Sequence, residues 1–180
     1  MKKILISPQL LEIMLSRLAH QLIENHQDFA DSVILGLQPK GVFFAEKMKK
    51  KLQELTNINI PIGHLDVTFY RDDFRRRDAP PLKANSTKVD FLVEDKRVIL
   101  IDDVLYTGRT VRAALDAMTA FGRPRAVELM ALIDRKYTRD LPIHPQYVGK
   151  EVDTLISQWI QVEWTEQGFT KNNIWLVSDK

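Results

Sequence analysis

The chain has 180 residues, with 26 Lys and Arg against 24 Asp and Glu and no cysteine. That length suits a single domain with a sizeable core, and the near-balanced charge excludes a surface that is basic all over, though not a local basic face. Without cysteine, disulfides, thiolate metal sites and cysteine nucleophiles are excluded.

At the start, the apolar run Ile4-Leu5-Ile6 is too short for a signal peptide, and the polar Gln9 and Glu12 soon interrupt it. No stretch approaches the ~20 apolar residues of a membrane span, so a soluble cytoplasmic domain is expected. Ser7-Pro8 marks a helix start, with serine as cap and proline in the first turn. Leu11, Met14, Leu15, Leu18, Leu22 and Ile23 continue it as an apolar stripe to about Asn25. Residues 32–37 read as a short strand, followed by a turn and a helix over 41–55. Residues 60–70 read as a further strand, interrupted early by Pro61 and Gly63. The polar stretch 71–94, with Pro80 and Pro81, is too long for a plain connector; such loops are usually lids or binding segments.

The most telling segment is Val98-Ile99-Leu100-Ile101-Asp102-Asp103-Val104-Leu105-Tyr106-Thr107-Gly108-Arg109-Thr110. Its apolar run fits a buried parallel strand, and Val111, Ala114, Leu115 and Met118 recur at helical spacing after it. A helix N-terminus with threonine hydroxyls beside it makes a phosphate cradle. The two carboxylates at the strand end suit a polyol. A further strand over 126–133 comes next, and β-like runs at 159–164 and 174–177 are joined by turns at Gln167-Gly168 and Asn172-Asn173. Strand–helix alternation predicts an α/β fold with a central, mostly parallel sheet flanked by helices. Ligands of such sheets bind beyond the carboxyl ends of the strands, where Asp102 stands.

Those thirteen residues resemble the phosphoribosyl-pyrophosphate (PRPP) signature of the type I phosphoribosyltransferases. There is neither a Walker phosphate loop nor a Gly-x-Gly-x-x-Gly fingerprint to compete with it. The resemblance implies that Asp102 and Asp103 hold the ribose hydroxyls and that Tyr106, Thr107, Gly108, Arg109 and Thr110 wrap the 5′-phosphate. Gln38-Pro39-Lys40-Gly41 then corresponds to the pyrophosphate loop, with Lys40 where many relatives have arginine. It also implies a small hood and a flexible catalytic loop, with Arg71 meeting pyrophosphate as that loop closes.

More narrowly, the chain resembles the pyrimidine operon regulator/uracil phosphoribosyltransferase family. The likeness runs from Arg17-Leu18-Ala19-His20 through the Tyr70–Asp73 string, the signature and Phe121-Gly122-Arg123-Pro124 to Ile133-Asp134-Arg135 and Tyr147-Val148-Gly149-Lys150; residues 155–180 resemble it only loosely. It implies uracil and PRPP as substrates and UMP as product, with Mg²⁺ held mainly by PRPP and helped by Asp102 and Asp103. Asp103 would assist either the metal or the base. Asp134 and Arg135 would lie nearest the base. Relatives also bind an mRNA leader as dimers, through positions that map to Ser16, His20, Asn25, Arg139, His144 and Lys150. Asn25 and His144 stand where many relatives have arginine, which removes permanent charge from a phosphate-binding face.

Two other readings remain. Hypoxanthine–guanine phosphoribosyltransferases generally carry a carboxylate where this chain has Tyr106, and a phenol of pKa ~10 is a poor base at neutral pH. The other is a non-catalytic regulator that senses nucleotide and acts through RNA. His20, His64 and His144 lack zinc-site spacing, and His26 reads as a helix-end residue. Trp159, Trp164 and Trp175 read as core or interface aromatics rather than base-stacking platforms.

Overall fold

The computed structural model describes residues 1–72, 86–155 and 157–178. The triple arginine Arg75-Arg76-Arg77 and the Pro80-Pro81 pair lie outside the described residues. Strands β2 (Ser32–Leu37), β3 (Ile62–Leu65), β4 (Arg97–Leu105), β5 (Ala126–Arg135) and β6 (Tyr147–Val152) form one sheet in the order β3-β2-β4-β5-β6, every pairing parallel. Helices α1 (Pro8–His26) and α2 (Gly41–Thr56) cover one face, and α3 (Arg109–Met118) covers the other. Central β4 divides its side chains by the two-residue period of a strand: Ile99 and Ile101 pack toward α1 and α2, Val98 and Leu100 toward α3. That two-sided burial explains why its apolar run lacks alternation. The fold is the α/β arrangement expected, with all five strands parallel rather than mostly so.

The hood is a second sheet, antiparallel and ordered β1-β8-β7, from β1 (Lys2–Ile6), β7 (Gln158–Glu163) and β8 (Asn173–Ser178). Ile6, Ile160, Val162, Trp164 and Ile174 join the core beneath α1 and α2, and the Trp164 ring stacks on Phe44 at 6.4 Å. Trp164 is the core aromatic expected, whereas Trp159 is 42% exposed.

The strand expected over 60–70 stops at Leu65. Asp66 ends it, because its Oδ1 accepts from the Thr68 N–H at 2.9 Å and from the Thr68 hydroxyl at 2.6 Å. A side chain that captures the next main-chain donor competes with the ladder, and the chain curls into a 3-10 turn at Thr68–Tyr70. The described residues contain no helix long and apolar enough to cross a membrane.

At the amino ends of the strands, His26 is more than a helix-end residue. Its buried ring stacks on Phe29 at 5.4 Å and meets the Ser32 hydroxyl at 2.7 Å and the Glu128 carboxylate at 3.0 Å. Arg97 and the Tyr147 phenol donate to the same carboxylate at 2.7 and 2.6 Å. Burial holds the His26 imidazole below its ordinary pKa, against the pull of Glu128. Burial raises Glu128, but the donors from Tyr147 and Arg97 and the nearby His26 outweigh it and hold the carboxyl below its ordinary value. Burial and Glu128 push the Tyr147 phenol up to about 12, so it stays a donor. For both His26 and Glu128 the unfolded chain binds protons at higher pH than the folded one. The cluster therefore loses stability as pH falls below ~6.5 and again below ~4.3. Melting temperatures of the wild type and His26→Gln between pH 7 and 5 check this: the variant should have the shallower acid-side loss, and an identical slope in both would refute it.

Candidate active site

Four segments meet at the carboxyl ends of β2, β4 and β5. Asp102 and Asp103 stand near the end of β4, 8% and 7% exposed. Asp102 Oδ1 accepts from the Asp103 N–H at 2.9 Å, and Asp103 Oδ1 from the Val104 N–H at 2.9 Å. Burial first, and then the charge of Asp103, drive the Asp102 carboxyl well above the ordinary carboxylate range, while Arg71 pulls it back in part. Asp103 is also raised by burial, with Lys40 opposing. A pair of carboxyls held up in this way is poised for a cationic or hydroxyl-rich ligand.

The phosphate turn lies directly after β4. Gly108 caps α3 at φ +89°, in the left-handed region that glycine enters without strain; it has no side chain to cap the helix, and the Thr107 hydroxyl makes only a long 3.4 Å contact with the Arg109 N–H. The helix N-terminus is thereby left open toward a pocket of about 450 Å³. Arg71, Asp102, Tyr106, Thr107, Gly108, Arg109, Thr110 and Asp140 all line it. Arg109 faces it but is braced, its Nε on Asp140 at 2.9 Å and its Nη1 on Asp72 at 2.7 Å.

The third piece is the turn Gln38-Pro39-Lys40-Gly41 between β2 and α2. The Gln38–Pro39 peptide is cis, the Gln38 N–H donates to Leu65 O at 3.0 Å, and Gln38 Nε2 donates to Ser86 O at 2.5 Å. Gly41 packs against β4 so tightly that a Cβ there would lie 2.6 Å from the Ile101 carbonyl oxygen. Lys40 lies exposed and also lines a hollow of about 290 Å³ with hood residues Trp159, Ile160, Gln161, Val162, Gln167 and Phe169. The turn thus joins the carboxylate pair to the hood. Nothing in the sequence pairs Lys40 with residues more than a hundred positions away; only the topology does.

Of the residues expected near a base, Asp134 is paired with Arg139. Arg135 is buried, donates to Thr154 Oγ1 at 2.8 Å and Gln158 O at 3.0 Å, and lies 4.1 Å over the Tyr106 ring. It therefore ties the phosphate turn to the hood. The Tyr106–Arg135 contact is a result of parallel register, since Leu105 pairs with Asp134. The positions expected to meet RNA do not form one patch. Ser16 and His20 lie on α1, with the His20 Nδ1 at 2.7 Å from Ser16 O. Arg17 next to them donates to Val148 O and Gly149 O of β6 at 3.0 and 2.6 Å, which brings exposed Lys150 close. His144 lines a hollow with Leu115 and Gln146 on the α3 face of the sheet. The Asn25 amide donates to the Tyr147 phenol at 3.0 Å, and the Arg139 guanidinium points inward.

Among the described residues no cluster of three or more His, Cys, Asp or Glu side chains could cage a metal. Two carboxylates beside a phosphate cradle fit an ion that keeps water and phosphate oxygens, as Mg²⁺ does.

The chain matches the phosphoribosyl transferase domain family over residues 2–167. The "Bifunctional protein PyrR" of Latilactobacillus sakei is 44% identical over 154 residues, covering 84% of each chain. The protein of that name from Haemophilus influenzae strain KW20 is 43% identical over 170 residues, covering 93% of this chain and 94% of its own. A hypoxanthine phosphoribosyltransferase structure from Staphylococcus aureus superposes with a TM-score of 0.71 at 18% identity, over 96% of this chain and 90% of that one. The Trypanosoma cruzi hypoxanthine phosphoribosyltransferase gives 0.73 at 12% identity, over 99% and 97%. Likeness at such low identity speaks to the fold alone. The bifunctional relatives share far more of the sequence over most of its length, and the chain belongs to the phosphoribosyl transferase domain family and, within it, to the bifunctional PyrR proteins.

Proposed function

We propose that the chain transfers the phosphoribosyl group of PRPP to uracil, giving UMP and pyrophosphate, with Mg²⁺ as cofactor. The observation that carries this reading is buried Asp102 in the pocket at the N-terminus of α3, with Asp103 buried beside it and facing the charge of Lys40. Asp102 and Asp103 orient the ribose hydroxyls, and the turn from Tyr106 to Thr110 receives the 5′-phosphate. Gln38, Pro39, Lys40 and Gly41 face the pyrophosphate, and Arg71 approaches the same group from the far side of the pocket. A base nitrogen forms the bond to C1 of the ribose as the bond from C1 to pyrophosphate breaks, and the nitrogen's proton goes to solvent. No protein nucleophile is needed: the residues align the reactants and neutralise the leaving group. Mg²⁺, held by PRPP oxygens with help from the two aspartates, would supply further charge neutralisation there.

Uracil is favoured over a purine because the wall of the site is the Tyr106 ring under Arg135, with no carboxylate at that position. Asp134 and Arg135 border the base as a pre-ordered edge. The test is pyrophosphate release from PRPP and Mg²⁺ with uracil, hypoxanthine, guanine, adenine and orotate in parallel. Turnover with uracil alone is expected. Turnover with a purine would overturn the base assignment, and binding of PRPP or UMP without turnover would hand the lead to the non-catalytic regulator.

The second role we propose is UMP-responsive binding of an mRNA leader by a dimer or higher homo-oligomer. Ser16, His20 and Lys150 supply one face, and His144 lies across edge strand β6 from it. Binding should weaken as salt rises, and Lys150→Gln should lower the log–log salt slope by about one. A slope unchanged in that variant would remove Lys150 from the RNA face.

A further inference from the structure

We infer that Arg139 is a positioning residue that sets the peptide planes of the phosphate turn; the inference rests on the phosphoribosyl-transfer reading and extends it. The Arg139 side chain is 16% exposed and sits behind the turn rather than in the pocket. Its Nη1 donates to the carbonyls of Leu105, Tyr106 and Arg135 at 3.4, 2.5 and 3.1 Å, and its Nε to Ile143 O at 3.0 Å. Its Nη2 is paired with the Asp134 carboxylate. The neighbouring backbone continues the pattern, because the N–H groups of Asp140 and Leu141 donate to Thr107 O at 3.0 and 3.3 Å.

The carbonyls of Leu105, Tyr106 and Thr107 are therefore all drawn toward the segment 139–141. These peptides are trans, and a trans peptide is planar with its C=O and the following N–H opposed. Holding those carbonyls aims the N–H groups of Tyr106, Thr107 and Gly108 the other way. The same three residues line the pocket, and successive main-chain N–H groups at a helix start are what bind a phosphate. A cation on the carbonyl side also polarises each peptide and strengthens its N–H as a donor. Only a guanidinium has a planar fork of five N–H groups able to span such a ring of acceptors; an ammonium has three. Turning the same group out to meet an RNA phosphate would release the turn, so the two roles compete for one side chain.

The experiment compares the wild type with Arg139→Gln, Arg139→Lys and, as a control for lost charge, Arg123→Gln at the opposite end of β5. The readouts are KM for PRPP and for the base, kcat, melting temperature, and amide hydrogen-exchange protection at Asp140 and Leu141. Arg139→Gln should raise KM for PRPP by about tenfold or more while KM for the base changes little, with Arg139→Lys in between. The Asp140 and Leu141 amides, which donate to Thr107 O, should lose protection in Arg139→Gln and keep it in Arg123→Gln. A variant that only melts lower with KM for PRPP unaltered would overturn the inference, as would one that loses leader RNA and keeps its PRPP affinity. Should the wild type bind no PRPP, the transfer reading itself fails. Protection at Asp140 and Leu141 then still decides whether Arg139 holds the turn, and equal protection in wild type and Arg139→Gln refutes it.

Discussion

Asp102→Asn should raise the melting temperature of the free protein while cutting phosphoribosyl transfer at least about a hundredfold. The gain arises because the carboxyl is buried against Asp103 and held well above its ordinary pKa, first by burial and then by that neighbour's charge. For a carboxyl the sign is clear: the folded state binds its proton more tightly, so the ionised form opposes folding at neutral pH, by about 1.4 kcal/mol for each pH unit of displacement. Asparagine removes the charge and keeps an oxygen to accept from the Asp103 N–H, now at 2.9 Å. Activity falls because the amide has lost the charge that orients the ribose and any ion bound to it. Differential scanning calorimetry beside a pyrophosphate-release assay checks both halves, and a variant that melts lower yet turns over normally would refute the site assignment. A corollary links the two ends of the sheet. Asp102 gains stability on acidification while the His26–Glu128 cluster loses it, so Asp102→Asn should steepen the acid-side loss.

Gly41→Ala should lower the melting temperature by about 5–10 °C and raise KM for PRPP. At an ordinary helix start, alanine for glycine stabilises by up to about 1 kcal/mol. Here the sign reverses. The new Cβ would lie 2.6 Å from the Ile101 carbonyl oxygen, 3.0 Å from Asp102 Cα and 3.1 Å from Asp102 Oδ1. Ile101 and Asp102 belong to the central strand, paired on both sides by β2 and β5, and cannot give way. The start of α2 must lift instead, at a cost of about 2–3 kcal/mol, and it carries Lys40 away from Asp103 as it moves. Thermal melting and PRPP titration check the two effects; a variant as stable as the wild type would mean that the turn and the strand are not rigidly packed.

The site was legible in the sequence where it is contiguous. Asp102 through Thr110 form one strand–turn–helix, so two carboxylates, a turn glycine and a helix start could be read in a line. Gln38 to Gly41 were legible for the same reason. Contacts made across strands escaped. Arg109 meets Asp72 and Asp140 from two different loops, and Arg139 reaches the phosphate turn only because β4 and β5 lie parallel with Leu105 beside Asp134. The resemblance placed Arg139 among the positions expected to meet RNA, with nothing in the sequence to set it behind the phosphate turn. The strand over 60–70 was read too long because its apolar pattern continues through Val67 and Phe69, and the competing bond from Asp66 is a local capture that periodicity does not register. β6 escaped because Gly149, Lys150 and Glu151 break its apolar pattern, and an exposed edge strand tolerates that.

The hood pairs β1 with β8, Lys2 with Val177 and Ile4 with Trp175. β1 is made before the other described strands yet pairs with the last of them, so it is among the last to find its partner. At typical elongation rates it waits on the order of 10–30 s, long after the βα units of the main sheet can begin to collapse. During that interval Ile4-Leu5-Ile6 is an unpaired apolar edge, the kind of segment that chaperones bind and that seeds aggregation. Lys2 and Lys3 immediately before it are the charges that natural edges use as a guard. In the finished protein Lys2 is turned to another task, pairing with Glu163 of β7 at 2.7 Å and lying 4.5 Å over the Trp175 ring. A residue that shields the nascent chain thus becomes one of the fastenings of the completed hood.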